Sequence, residues 1–249
     1  MAKVLEICVD SLASARAAIS GGTDRLELCS ALLAGGLTPY EGLLRQIKQE
    51  SGIAVRCLMR PRPGDFLYTP EELELLKMQI LQLKAAGADG FVIGCLTAEG
   101  DLDMDAMKPL VEACGDKGIT LHRCIDVSRD VEQTYRDAKA LGIDTVLTSG
   151  AAASCKLGRE QIERLIALRE EIGGPEILVG AGVNASVIRD FRQNIPGARA
   201  FHMSGKLELE SSMRFRREGV PMGLPGLDEW HIQQTDPEAV KAARKAMDE

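Results

Sequence analysis

The sequence predicts a single-domain α/β protein, a (β/α)8 TIM barrel. Eight short apolar, β-rich segments alternate with helical patterns along 249 residues, the count and length that such a barrel needs. A doubly wound open sheet would show the same alternation, but no G-x-G-x-x-G fingerprint follows the first strand. No composition break or Ser/Pro-rich linker divides the chain.

The predicted strands are "VLEICVD" (4–10), "RLELCS" (25–30), "AVRCLMR" (54–60), "GFVIGCLT" (90–97), "ITLHRCID" (119–126), "TVLTSG" (145–150), "EILVGAGV" (176–183) and "AFHMSG" (200–205). Between them, "SLASARAAISGG" opens on Ser11 and closes on paired glycines. "TPEELELLKMQILQLKAAGAD" has Thr69 as N-cap, Pro70 at the first helical position and Gly87 as C-cap. "DVEQTYRDAKALGID" and "GREQIERLIALREEIGG" place apolar residues at three- and four-residue spacing. The phrases "GGTD", "AGAD" and "LGID" before strands two, four and six read as helix ends leading into a strand. Residues 206–235, rich in Gly and Pro at "GVPMGLPG", read as a long connection that covers one end of the barrel or serves as a subunit contact. A terminal helix over 236–248 follows, with Asp236 as N-cap and Pro237 next.

Composition excludes several function classes. The net charge is −7 and the pI about 5.2, against the concentrated Lys and Arg that a phosphate backbone requires, so nucleic acid is not an expected partner. Mean hydropathy is −0.05 and no apolar run nears the roughly 18 residues of a membrane span. The start "MAKVLEICVD" lacks the regions of a signal peptide. The seven cysteines are irregularly spaced with no C-x-x-C, which suits free thiols in a reducing, cytoplasmic setting.

Polar residues gather in the C-terminal halves of the strands, where barrels of this kind build their sites. The chain states one phrase nearly twice, "LEIC" at Leu5–Cys8 and "LELC" at Leu26–Cys29. Side chains alternate along a strand, so Glu6 and Cys8 share one face, as do Glu27 and Cys29, and the leucines and isoleucine between them face the helices. By the same parity His122, Cys124 and Asp126 share a face, as do His202 and Ser204, while Cys57 faces outward. A buried carboxylate needs a partner, and Arg60, Arg62, Arg123, His122 and His202 are the candidates. Such a convergence points to a ligand site.

Two ligand types fit. For a small anionic or phosphorylated molecule, the clamp would come from Arg60, Arg62, Asp65, Arg123, Thr148 and Ser149. Gly180, Gly182, His202 and Ser204 lie after strands seven and eight, where small residues admit backbone N–H groups. In that reading Glu6 or Glu27 is the general base and His122 the general acid, with Arg60 and Asp126 beside them. Two carboxylates near a histidine also suit a divalent metal. The other ligand is Cu(I), which thiolates such as Cys8 and Cys29 select.

The motifs "DRLELC", "GGLTPY", "RPRPGDF", "LHRCIDV", "VLTSG", "VGAGV" and "SSMRFR" occur in this order from about Leu5 to Arg216. Together they resemble the copper homeostasis protein CutC family. The resemblance implies a cytoplasmic (β/α)8 barrel that self-associates, as a dimer or tetramer, and binds Cu(I) through cysteine thiols. Cys29 in "ELC" is the first residue it carries over, then Cys8. The alternative is an isomerase- or lyase-type enzyme on a small anionic metabolite, with copper entering only indirectly.

Overall fold

The computed structural model describes residues 3–220, 222, 223 and 229–249. Eight parallel strands close into one barrel: β1 (Val4–Val9), β2 (Arg25–Leu28), β3 (Ala54–Leu58), β4 (Gly90–Ile93), β5 (Gly118–Leu121), β6 (Thr145–Thr148), β7 (Glu176–Val179) and β8 (Ala200–Met203), with β8 pairing back onto β1. The helices are α1 (Leu12–Ser20), α2 (Glu41–Glu50), α3 (Pro70–Ala85), α4 (Met104–Cys114), α5 (Val131–Ala140), α6 (Arg159–Ile172), α7 (Ala185–Asn194) and α8 (Pro237–Asp248). The predicted barrel is therefore the fold.

The helix starts obey their capping residues. Ser11 accepts from Ser14 N, and Thr69 forms a full capping box with Glu72 ahead of Pro70. At the end of α3 the cap is Ala86, and Gly87 follows at φ +101°, the left-handed turn that leads into β4. Two helices carry weaker sequence signals, since α2 has no side-chain cap and α4 contains Pro109, while α7 is capped by Asn184, which accepts from Ser186 N and Val187 N.

The strands are shorter than the apolar runs suggest, most consequentially at β5. It stops at Leu121, and Arg123–Val127 form a 3-10 turn. His122 causes the break, because its Nδ1 accepts the Cys124 N–H at 3.1 Å and turns the chain. The expected common face of His122, Cys124 and Asp126 is thus lost. Cys124 packs into the apolar layer between strands and helices, where Cys57 also lies as its parity requires.

Register fixes what fills the barrel. Glu6 sits level with Arg25 and His202, Cys8 with Glu27, and Glu27 with Arg56. Arg56 is level with Gly90, and Gly90 with Gly118. These glycines make room. A Cβ at Gly90 would lie 2.6 Å from the Gly118 carbonyl and 2.8 Å from Arg56 Cγ. The Arg56 guanidinium fits here, donating to Thr120 and Asp144.

Residues 206–235 contain more than a connection. β9 (Lys206–Glu210) and β10 (His231–Thr235) form an antiparallel ribbon, tied to the barrel where Thr235 N donates to Ser14 Oγ and Asp236 N to the Gly205 carbonyl. Parts of the "GVPMGLPG" stretch lie outside the described residues.

Gly90→Ala should lower stability by about 1–3 kcal/mol, since the methyl group meets the Gly118 carbonyl as well as the stem of Arg56. Denaturant titration checks this: the midpoint should fall at constant slope, and an unchanged midpoint would show that the Arg56 layer has slack.

Candidate functional site at the C-terminal mouth of the barrel

A cavity of about 140 Å³ opens at the C-terminal ends of the strands. Cys8, Glu27, Leu58, His122, Leu147 and His202 line its depth, and Leu32, Gly35, Arg60, Phe66 and Arg123 its rim. Strands β1, β2, β3, β6 and β8 deliver Cys8, Glu27, Leu58, Leu147 and His202 by parity, and His122 follows the end of β5. Arg60 and Phe66 come from the chain after β3, and Arg123 from the 3-10 turn.

Beneath the cavity lies the charged cluster that supports it. Arg25 Nε donates to Glu6 Oε2 at 2.5 Å, and His202 Nδ1 lies 2.8 Å from Glu6 Oε1. Glu6 is completely buried. Burial would raise its pKa, but Arg25 and His202 outweigh it and hold the carboxyl down at about 2. Burial likewise opposes charge on His202, yet Cys8, Glu27 and the bond to Glu6 overcome it and keep the imidazolium well above its ordinary range.

Glu27 has the opposite fate. Burial pushes its pKa up; His202 draws it down and Glu6 adds to the rise, leaving it at about 7. Its Oε2 is buried without a hydrogen-bond partner. His122 is driven down to about 3, first by burial and then by the Arg60 charge, and its Nε2 is likewise buried and unpartnered. Arg60 Nε is a third such atom on the same cavity wall. Three buried polar atoms without partners around one space are a cost that a ligand would relieve. Two carboxyl groups with widely separated pKa values are the pattern of an acid–base site.

Ligating atoms of Glu6, Glu27 and His202 all lie within 4.8 Å of one another. They do not fit a preformed cation site, because both Glu6 oxygens are taken by cations and His202 is itself held protonated. Nor do Cys8 and Cys29 form a thiolate pair facing the cavity. Cys8 lines it, but Cys29 is fully buried against Leu58 and Val92, its Sγ 3.5 Å from the Val9 carbonyl, and burial pushes its thiol far up.

The other sequence candidates are placed elsewhere. Asp126 accepts from Arg123, Thr148, Ser149 and Ala151 N, so it clamps the loop after β6 with Thr148 and Ser149 as its partners. Arg62 pairs with Asp65 and Glu72 on the surface. Gly180 serves close packing, since a Cβ there would fall 2.7 Å from Leu147 Cδ1. Gly182 makes a left-handed turn at φ +80°. Ser204 lines a separate cavity of about 250 Å³ beneath the ribbon, with Asp10 and Lys206.

Sequence reasoning missed Arg25 and Phe66. Arg25 was legible, two residues before Glu27 and so on its face. Phe66 was not: its ring packs against His122, centroids 4.8 Å apart, and under Arg60 at 5.2 Å, and nothing in "RPRPGDF" signals that return.

Fold and site together define a (β/α)8-barrel protein with a small, ionisable cavity at its C-terminal mouth. The model of the CutC family matches residues 3–207. The family protein CutC of Chromobacterium violaceum is 40% identical over 249 residues, covering 100% of this chain and 99% of its own. That of Vibrio parahaemolyticus is 38% identical over 246 residues, 98% of each chain. The solved structure of a Streptococcus agalactiae protein, described as a candidate copper homeostasis protein CutC, superposes with a TM-score of 0.76 at 28% identity, covering 81% of this chain and 98% of its own. Phosphoribosylanthranilate isomerase from Thermotoga maritima, at 11% identity and a TM-score of 0.53 over 100% of this chain and 99% of its own, shares the fold alone. The chain belongs to the CutC family.

The raised pKa of Glu27 makes a stability prediction. A carboxyl with pKa about 4.5 unfolded and about 7 folded contributes stability below pH 4.5 that is lost as pH rises through 7. Glu27→Gln keeps the neutral form at every pH. Relative to that variant, wild type should lose about 3 kcal/mol between pH 5 and pH 8. Denaturant titrations at the two pH values measure the difference, and equal losses would mean that Glu27 is already ionised at pH 5.

Proposed function

We propose that this protein is an enzyme of isomerase or lyase type that moves a proton on a small anionic molecule at the C-terminal mouth. The observation that carries this is the cavity shared by Glu27, a carboxyl poised near neutrality whose buried Oε2 has no hydrogen-bond partner, and His122, an imidazole whose buried Nε2 has none. Glu27 is the acid–base group, because a pKa near the working pH lets one carboxyl both take and return a proton. Glu6 is spent on Arg25 and His202 and keeps Glu27 from ionising early. Arg60 and Arg123 at the rim supply positive charge for an anionic group. The volume of about 140 Å³ restricts the ligand to a small molecule. All seven cysteines are free and buried, which supports a reducing cytoplasmic setting.

Copper is a second reading, favoured by Cys8, a soft donor on the cavity wall beside His202, and by the copper homeostasis description of the Streptococcus relative. Cu(I) would reach Cys8 directly and Cys29 only after Leu58 moves. Self-association is also part of the proposal. The ribbon leaves every residue of β9 exposed, and Leu207, Leu209 and Ile232 add apolar surface beside Met213 and Phe215. A two-stranded ribbon gains little stability alone, and a second copy of this chain is the partner that would cover it.

Calorimetric titration with small carboxylates and inorganic phosphate tests the main reading. Binding by wild type and at least about tenfold weaker binding by Arg60→Ala are expected; a panel without binding would remove the anion site. Titration with Cu(I) under reducing conditions separates the second reading. Copper bound equally by wild type, Cys8→Ser and Cys29→Ser would sink the thiol assignment. Light scattering should give a dimer or tetramer that Leu209→Lys with Ile232→Lys converts to monomer.

A further inference from the structure

We infer that His122 is a neutral-imidazole hydrogen-bond donor for a carbonyl oxygen, and that the site's substrates are small anionic oxo compounds bearing a C–H beside that carbonyl. The inference rests on the proton-transfer reading above and names its substrate class.

The tautomer follows from one hydrogen bond. His122 Nδ1 accepts the Cys124 backbone N–H at 3.1 Å, so the ring proton of the neutral imidazole sits on Nε2. That Nε2 is buried, has no partner and lines the cavity. It is therefore an N–H donor aimed at a ligand. Protonating the ring would cost the Cys124 bond, which needs the Nδ1 lone pair, and would set a second cation beside Arg60. The charged and titratable groups that share its cavity are Arg60, Arg123, Glu27, His202 and Cys8, and Arg60 is the charge that bears most on it.

The ring is also held in place. Gly94 opposes it: a Cβ there would lie 2.5 Å from His122 Cε1, 2.8 Å from Nδ1 and 2.5 Å from Cys124 Sγ. Phe66 packs against the ring at 4.8 Å, tilted by 40°, with Arg60 over Phe66 at 5.2 Å. A fixed neutral donor loses nothing to reorganisation when negative charge grows on the oxygen it meets, and that is the condition for stabilising an enolate.

The step balances without a co-reactant. Glu27, as carboxylate, takes the proton from the carbon next to the carbonyl. The C–H bond breaks and an O–H bond forms on Glu27. The C–H electron pair becomes the new C=C bond, and the carbonyl π pair moves to the oxygen that faces His122 Nε2–H. Glu27 then returns the proton to the same or the neighbouring carbon. Arg60 and Arg123 hold the carboxylate or phosphate of the substrate at the rim.

Four variants separate the parts. His122→Asn keeps an acceptor for the Cys124 N–H and deletes the cavity donor. His122→Gln places an amide N–H near the former Nε2. Gly94→Ala crowds the ring without removing it, and Glu27→Gln removes the base. The probes are oxalate, which has the shape of a small enolate, and pyruvate or dihydroxyacetone phosphate in D2O, read by loss of the C–H proton signal. Wild type should bind oxalate and exchange protons with one of the oxo probes. His122→Asn should weaken oxalate by about 10- to 100-fold and slow exchange by about 100-fold, with partial recovery in His122→Gln and an intermediate loss in Gly94→Ala. In nitrogen-15 spectra the ring should stay the Nε2–H tautomer from pH 5 to pH 8.

Exchange that vanishes in Glu27→Gln but survives His122→Asn at the wild-type rate would overturn the donor role and leave the proton-transfer reading standing. Exchange that persists in Glu27→Gln would overturn that reading instead. No exchange and no oxalate binding by wild type would remove both. A ring that titrates between pH 5 and pH 8 removes the tautomer assignment whatever the kinetics.

Discussion

The buried charge of Glu6 is the constraint on which the rest of the site depends. Taking one carboxylate out of water costs several kcal/mol, and the cost is recovered only if each oxygen finds a cation or donor at good geometry. Glu6 has both, Arg25 from the strand on one side and His202 from the strand on the other. These three residues are level in the sheet, so one pairing runs across β1–β2 and the other across the β8–β1 seam where the barrel closes. Removing any one of the three would leave charge uncompensated around β1, beside that closure, and this ties the register of the sheet to the chemistry at its mouth.

The same cluster decides the state of its neighbour. Glu27 lies one layer nearer the mouth, level with Cys8. The nearby cations are already engaged by Glu6, and Glu6 adds its own negative charge. Burial then prevails and Glu27 holds its proton up to about 7. Two glutamates in near-identical sequence contexts thus become a permanent anion and a neutral-pH acid. The two histidines diverge for the matching reason: His202 touches a carboxylate and charges, whereas His122 faces a backbone N–H and an arginine and stays neutral.

The barrel was legible because its signal is redundant: eight repeats of one pattern survive several misplaced boundaries. Inward parity was legible for the same reason, and it placed Glu6, Cys8, Glu27 and His202 correctly. It failed at Asp126, where a single side-chain bond to His122 ended β5 five residues early, and no count of alternating residues contains that event. It also failed to pair the charges. Arg60 and Arg62 stand out in sequence, but Glu6 pairs with Arg25, because partners are set by the stagger between neighbouring strands. Arg62 and Asp65 satisfy each other on the surface, an outcome that composition does not distinguish from a ligand clamp.

That stagger also accounts for the doubled "LE-C" phrase. If equal positions of β1 and β2 were level, glutamate would face glutamate and cysteine would face cysteine. The observed register offsets the copies by one inward layer, so Glu6 meets Arg25 and Cys8 meets Glu27. Like charges are kept out of the same layer, and the two thiols are kept out of one plane. Cys8 is left on the cavity wall, while Cys29 rises one layer further and is covered by Leu32, Leu58 and the turn at Gly36. The repeat therefore builds no symmetric pair of ligands. It builds a stack in which a compensated carboxylate underlies a protonatable one, and the cavity opens above the second.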